Sequence, residues 1–319
     1  MGASQLTVRV VRKQMEADGI CSFELADPAG EPLPPFSAGS HIDVHIPGGL
    51  TRQYSLCNPP SEQHRYVIAV LNDAQSRGGS RAMHEAVQEG NTLQVSTPRN
   101  HFPLEPEARR HLLLAGGIGI TPMLCMAECL ANEGQSFAMH YCARSRRCAA
   151  FIDHLARAPY AESVQLHFDD EDPAQRLDIT TLLAEAASDV HLYVCGPKGF
   201  MDAMLDTARR LGWAEERLHY EFFAASVDIT GGAFEVKLAS SGRTVVIPTG
   251  QTVAEALADA GVEVPVSCGQ GICGTCLVRV LEGEPEHRDL YLSPEEQARN
   301  DQFTPCCSRA RSSTLVLDL

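Results

Sequence analysis

Residues 268–276 read Cys268-Gly-Gln-Gly-Ile-Cys273-Gly-Thr-Cys276, and further on comes Pro305-Cys306-Cys307. The spacing C-x4-C-x2-C with a distant fourth thiol is that of a plant-type [2Fe–2S] site. Two irons need four thiolates, and three can come from one tight loop if its backbone wraps the cluster. Gly269, Gly271 and Gly274 allow that wrapping and bring N–H groups toward sulfur. The competing reading is structural zinc, which favours paired C-x2-C units, and only one such unit is present. Cys268, Cys273, Cys276 and Cys306 are the expected ligands, with Cys307 as the alternative fourth.

Around this loop, residues 232–319 make a small α+β block. A hairpin is expected from Ala233–Leu238 and Arg243–Ile247, then a short helix at Val253–Ala260, with closing strands at Leu277–Leu281 and Thr314–Leu317. Ala224–Gly232 (AASVDITGG) reads as a linker. Before it, from His111, continuous apolar strands alternate with helices, the pattern of an open parallel sheet covered by helices. The first hundred residues hold short alternating runs such as Leu6–Arg12, His41–Ile46 and Tyr66–Val70, separated by Pro, Gly, Asn and Asp. They predict an antiparallel barrel or sandwich, with one inserted helix, Arg81–Gln88, capped by Ser80. The expected domains are 1–106, 107–226 and 232–319.

Two loops in the middle block suit phosphate. Gly116-Gly117-Ile118-Gly119-Ile120-Thr121-Pro122-Met123 follows a strand and opens a helix, with Pro122 at its first position. Free N–H groups and the helix dipole favour an anion there. Cys195-Gly196-Pro197-Lys198 follows another strand and therefore lies on the same edge of the sheet, where open α/β sheets bind ligands. A plain capping turn is the competing reading. In the first block, Arg52-Gln53-Tyr54-Ser55-Leu56 lies on a strand, and Arg77-Gly78-Gly79-Ser80 opens the inserted helix, where an arginine and two glycines suit a second phosphate.

Composition narrows the class. The chain has 319 residues with 41 acids against 26 bases, a net charge of −15. That argues against a nucleic-acid binder and against docking on an anionic membrane. The best apolar stretch, Leu112 to Ala127, is broken by three glycines and a proline, whereas a spanning helix needs about 20 residues. The N-terminus lacks a secretory core, so a cytoplasmic protein is expected, in which the 12 cysteines are ligands or packing groups rather than disulfides.

At this point the sequence resembles the phthalate dioxygenase reductase-like family, the single-chain reductases of Rieske-type aromatic-ring oxygenases. The resemblance spans the chain. It rests on RQYSL at 52–56, RGGS at 77–80, TPRNHFPL at 97–104, GGIGITPM at 116–123, YVCGPKGFM at 193–201, the cysteine loop and PCCSRA at 305–310. It implies a flavin β-barrel, a nicotinamide-nucleotide α/β domain and a C-terminal β-grasp ferredoxin. FMN would sit against Tyr54 and Ser55, with Arg52, Gln53, Arg77, Gly78, Gly79 and Ser80 around its ring and phosphate, and Thr121 and Phe223 also on the flavin side. NADH would lie on Gly116, Gly117, Gly119, Arg144, Cys195, Gly196 and Pro197. Ser55, Cys195 and Phe223 would act where nicotinamide meets flavin.

The implied function is electron transfer from NADH through FMN and [2Fe–2S] to a separate terminal oxygenase, by a monomer. Arg144, Arg146 and Arg147 leave NADP open, while Asp169–Asp172 would repel a 2′-phosphate and favour NAD. FAD also stays open. The rival enzyme is an FAD/NAD(P)H reductase feeding a diiron or haem oxygenase. A cluster-based redox sensor is the rival of another class, and it has no need of a nicotinamide site. Glu282, Glu284, Glu286 and Asp289 are read as a solvated acidic face, with steering of a basic partner as the alternative.

Overall fold

The computed structural model describes residues 5–74, 78–223 and 227–319. The chain divides into two compact units, Met1–Phe223 and Ala224–Leu319. The linker residues Ala224–Ser226 and the predicted phosphate residue Arg77 lie outside the described residues.

The first unit opens with β1 (Gln5–Ala17), β2 (Ile20–Ala26), β3 (Ser40–Ile46), β4 (Leu50–Ser55), β5 (Tyr66–Leu71), helix α1 (Gly79–Ala86), β6 (Thr92–Ser96) and β7 (Arg99–Asn100). The strands form an antiparallel sheet in the order β4-β3-β6-β1-β2-β5, with β7 paired to β3. Its two edges meet: Leu56 bridges Ile68, and the Cys57 amide donates to the Val67 carbonyl at 2.8 Å. The sheet therefore closes into a barrel, which removes its free edges. Alternation supplies the interior, with Val8, Val10, Phe23, Ile42, Val44, Ile68 and Val95 buried together.

The expected cap of α1 is displaced. The helix begins at Gly79, one residue before Ser80, and its N-cap is Gly78 at φ 94°. A glycine can take this left-handed conformation without a Cβ penalty. Ser80 Oγ instead accepts the Asp73 amide at 3.3 Å.

The unit continues with β8 (Arg110–Gly116), α2 (Ile120–Asn132), β9 (Ser136–Ala143), α3 (Ile152–Arg157), β10 (Val164–Phe168), α4 (Ile179–Glu185), β11 (Val190–Cys195), α5 (Lys198–Arg210) and β12 (Leu218–Glu221). The strands are parallel, in the order β10-β9-β8-β11-β12. Leu112, Leu114, Leu192 and Val194 face α5 through Met201, Met204 and Leu205. The other face carries α2, and nearly every side chain of that helix from Ile120 to Leu130 is buried. A helix apolar all round must be covered on both sides. Here the sheet covers one side, and Ile20, Ala38, Cys57, Ala69 and Phe102 of the barrel segment join the same core. Because α2 starts at Ile120, Pro122 is its third residue, not its first as predicted; it still lies in the first turn, where no intrahelical N–H is needed.

The second unit contains β13 (Phe234–Leu238), β14 (Thr244–Ile247), α6 (Val253–Asp259), β15 (Val278–Glu282), β16 (Pro285–Glu286), α7 (Pro294–Arg299), β17 (Gln302–Phe303), β18 (Arg309–Ala310) and β19 (Thr314–Leu317). A mixed five-stranded sheet runs β14-β13-β19-β15-β17, and β16 pairs with β18. Helix α6 packs Val253 and Leu257 onto Val236, Ile247, Phe303 and Leu315. The sheet scaffold leaves the cysteine loop, 268–276, in the connection between α6 and β15.

Candidate functional site

Strand β4 ends where the barrel meets the parallel sheet. Its last residue, Ser55, is buried, and its Oγ donates to Glu221 Oε2 at 3.2 Å. Glu221 ends β12 and pairs in register with Cys195 at the end of β11. Burial pushes the Glu221 carboxyl up to about 7, with the Ser55 hydrogen bond pulling the other way. The Cys195 thiol is fully buried and pushed well above its ordinary range by burial and by the charge of Glu221. It is thus a neutral packing group and not a thiolate nucleophile. Phe223, two residues past Glu221, is half-buried against the shared core. Thr121 turns its hydroxyl onto the Ile118 carbonyl at 3.0 Å, inside its own turn. Tyr54 lies half-buried against the barrel core, and burial raises its phenol. Gln53 points elsewhere, its Nε2 lying 3.4 Å from His41 Nε2.

Arg52 crosses the N-terminus of α1. A Cβ on Gly79 would come within 2.8 Å of Arg52 Nε and 2.9 Å of its Cγ. Glycine is therefore what lets a guanidinium lie over the first turn of an eight-residue helix with no side-chain cap. Positive charge over uncapped amides is a cradle for a phosphate, so the residues fit an FMN phosphate.

The two loops of the parallel sheet touch each other. A Cβ on Gly119 would fall 2.1 Å from the Cys195 carbonyl oxygen, and one on Gly196 would fall 3.0 Å from Gly116 Cα. The absence of a side chain at these glycines is what permits this chain-to-chain approach. Their effect is to set the start of α2 beside the start of α5, and neither helix has a side-chain cap. Gly117, at φ 54°, faces open space. Two adjacent uncapped helix starts at the carboxyl edge of a parallel sheet fit a pyrophosphate. Lys198 is exposed and held by Asp202 at 2.8 Å.

Of the three arginines after β9, Arg146 pairs with Glu171 at 3.6 Å and lies over the Phe168 ring, and Arg147 pairs with Asp18 at 2.9 Å. Arg144 is exposed and in none of the ion pairs among the described residues.

In the second unit Cys268, Cys273, Cys276 and Cys306 are all buried. Their thiols contact one another: Cys268 meets Cys273 and Cys306, and Cys276 meets Cys306. The Gln270 amide donates to Cys268 Sγ at 3.3 Å. The Cys273 and Cys306 contacts, then backbone amides, lower the Cys268 thiol. The Cys307 thiol contacts Cys306 but neither Cys268 nor Cys276, and it also lies 3.3 Å from Thr304 Oγ1 and 3.7 Å from Ser308 Oγ. Among the described residues no three His, Cys, Asp or Glu side chains surround one ion point. A [2Fe–2S] centre asks for something else, two thiolates on each of two irons. Four buried thiols linked in a chain of contacts from Cys273 through Cys268 and Cys306 to Cys276, with an amide aimed at sulfur, fit that group.

Residues 236–311 match the 2Fe-2S iron-sulfur cluster binding domain family, and residues 94–218 match the N-terminal domain of dimethylamine monooxygenase subunit DmmA-like proteins. The chain is 53% identical to vanillate O-demethylase oxidoreductase from a Pseudomonas species over 316 residues, covering 98% of this chain and 100% of that one. It is 41% identical to phthalate dioxygenase reductase from Burkholderia cepacia, covering 98% and 97%. The solved phthalate dioxygenase reductase, described as a modular structure for electron transfer from pyridine nucleotides to [2Fe-2S], superposes with a TM-score of 0.78 at 41% identity, covering 99% of this chain and 98% of that one. The chain belongs to the phthalate dioxygenase reductase family. As a member of that family it is an oxidoreductase, the reductase component of an oxygenase system. No helix among the described residues is long and apolar enough to cross a membrane.

Two features of this family member escape a sequence reading. Glu221 sits within HYEFF, but only the contact with Ser55 marks it. The acidic run after the cysteine loop does not stay a free solvated face: Glu284 pairs with Arg311 at 3.2 Å and Glu286 with Arg288 at 2.8 Å, while Asp289 is buried.

Proposed function

We propose that this chain is an NADH-dependent reductase that uses FMN and a [2Fe–2S] cluster to supply electrons to a Rieske-type aromatic oxygenase. When bound, a flavin takes up the electron pair of a hydride and gives electrons up singly, which is what a one-electron iron–sulfur centre requires. The observation that carries the reading is the junction of Ser55, Glu221 and Cys195, placed between the Arg52 cradle and the paired starts of α2 and α5.

Each residue then has a task. Arg52 and Gly79 hold phosphate at α1, and Gly117, Gly196 and Pro197 hold the dinucleotide. Once a flavin ring fills the junction, Ser55 turns its hydroxyl proton from Glu221 to a ring nitrogen, and the Glu221 carboxyl, whose value is raised to about 7, can then donate its own proton to Ser55 Oγ and keep it oriented. Phe223 covers the ring, and Cys195 packs as a neutral thiol under the nicotinamide. Arg146, drawn to Glu171 and Phe168, is engaged elsewhere, which supports NADH over NADPH. Cys268, Cys273, Cys276 and Cys306 hold the cluster. The change of sheet between Asn100 and Arg110 supports the division at 106/107. All three sites lie in one chain, so a monomer suffices. Twelve unpaired cysteines suit the reducing cytoplasm.

Purified holoprotein should be coloured, contain FMN, iron and acid-labile sulfide, and reduce cytochrome c steadily with NADH. Turnover with candidate Rieske oxygenases then names the partner. A colourless protein, or one with zinc and no labile sulfide, overturns the proposal.

A further inference from the structure

One carboxylate in the second unit is fully buried and has no part in the function above. Asp289 has no exposed side-chain surface. Its Oδ2 accepts the Leu292 amide at 2.8 Å and its Oδ1 accepts the Ser308 hydroxyl at 3.3 Å. His287, itself 8% exposed, stands 3.6 Å away, and neither of its ring nitrogens has a hydrogen-bond partner. A buried carboxylate is costly unless something holds it, and two donors hold this one.

Its place in the fold gives it a use. The Leu290 amide donates to the Gly271 carbonyl at 2.9 Å, which ties this segment to the cysteine loop. A Cβ on Gly271 would lie 3.1 Å from Asp289 Cα and 2.3 Å from Cys307 Sγ. Ser308 carries the other tie, to the segment holding Cys306 and Cys307. Asp289 is thus wedged behind both cysteine-bearing segments. Reducing an iron–sulfur centre adds one negative charge, and a fixed negative charge in a low-dielectric interior opposes that addition.

We propose that Asp289 is a positioning residue that sets the reduction potential of the cluster, its buried charge making the reduced centre a stronger donor. This rests on the [2Fe–2S] reading of the four cysteines. The step involves a single electron entering or leaving the cluster, and no bond forms or breaks.

The test is a redox titration of holoprotein, followed by visible absorption and electron paramagnetic resonance, for wild type, Asp289→Asn and Asp289→Glu. Asn removes the charge and keeps the shape; Glu keeps the charge. With Asn, the reduced-to-oxidised ratio at a fixed poise should rise roughly tenfold, which is 59 mV for a one-electron couple. With Glu it should stay within about twofold of wild type. If Asn releases the cluster while Glu retains it at the wild-type potential, the charge holds the cluster and does not tune it, and the proposal falls. It is also overturned by a cluster-loaded Asn variant with unchanged potential, by equal shifts in both variants, or by cluster loss in both. Iron and sulfide analysis of wild type distinguishes the two failures: absence of a cluster there sinks the reading of the cysteines and the role of Asp289 with it, whereas a loaded wild type whose potential Asp289→Asn does not move sinks the role of Asp289 alone.

Discussion

Ser55 Oγ and Glu221 Oε2, 3.2 Å apart, join the last residue of a barrel strand to the last residue of a parallel strand. The two residues are 166 positions apart in sequence. The bond fixes a hydroxyl at the seam of the barrel and the parallel sheet, which the proposed function makes the meeting place of flavin and nicotinamide. Two consequences can be measured separately.

Ser55→Ala should slow reduction of the flavin by NADH about tenfold, the size expected from removing one hydrogen bond worth about 1–1.5 kcal/mol. FMN content should not change, because the proposed function gives the phosphate to Arg52 and the start of α1 and not to Ser55. Rapid mixing, with flavin released and counted beforehand, checks both. Traces that superpose on wild type would remove Ser55 from the reaction.

Glu221 gives a pH signature. Its folded value is raised to about 7, whereas the unfolded carboxyl titrates near the ordinary 4.5. Between those values the native state holds a proton that the unfolded chain has lost, so this group makes stability fall as pH rises through the window. Glu221→Gln removes the effect. The variant should gain thermal stability over wild type progressively from about pH 4.5 to about pH 7, then hold a constant lead. Calorimetry of the apo-protein in a pH series is the check, and a constant difference at every pH would contradict it.

The legible parts of the molecule were those with local chemistry. Ligand spacing in 268–276 needs only nine consecutive residues to be read, and period-two alternation marks β6 and the first half of β1, where one face is buried and the other exposed. Glu221 and Asp289 were not legible, because an acid says nothing of its burial until a distant hydroxyl is found beside it. Ser80 misled for a related reason: a preceding glycine at positive φ took the cap position that a serine ordinarily fills. Helix α7 did carry a signal, the capping box Ser293-Pro-Glu-Glu296, but its six residues bury none of their own side chains and so show no apolar period.

The adjacent pair Cys306 and Cys307 separates by contacts. Cys306 meets Cys268 and Cys276, while Cys307 meets Cys306 alone of the four and is otherwise held by Thr304 and Ser308. Cys306→Ser should therefore lose the cluster or retain a small, shifted fraction of it. Cys307→Ser should keep full iron and sulfide, since a serine hydroxyl can make the same contacts. Iron, acid-labile sulfide and visible spectra decide, and the reverse ranking would reassign the fourth ligand.

Glycines in the GGIG turn should differ sharply although they stand two residues apart. At Gly119 a methyl would be driven to 2.1 Å from the Cys195 carbonyl oxygen, which is backbone and cannot swing aside. Overpacking of this kind costs typically 1–3 kcal/mol, and relieving it must push the start of α2 away from the start of α5. Gly119→Ala should therefore lower thermal stability and weaken NADH binding together. At Gly117 a methyl meets nothing, and the only cost is the positive φ, about 1–2 kcal/mol. Gly117→Ala should leave the β11 loop in place, so whatever binding it loses comes from the turn itself, whereas a second change at Gly196, whose Cβ would lie 3.0 Å from Gly116 Cα, should couple to it and not simply add. Binding isotherms and melting curves for the two single variants and the double variant test the geometry. Equal losses at Gly117 and Gly119 would mean that backbone conformation, and not loop-to-loop contact, governs the site.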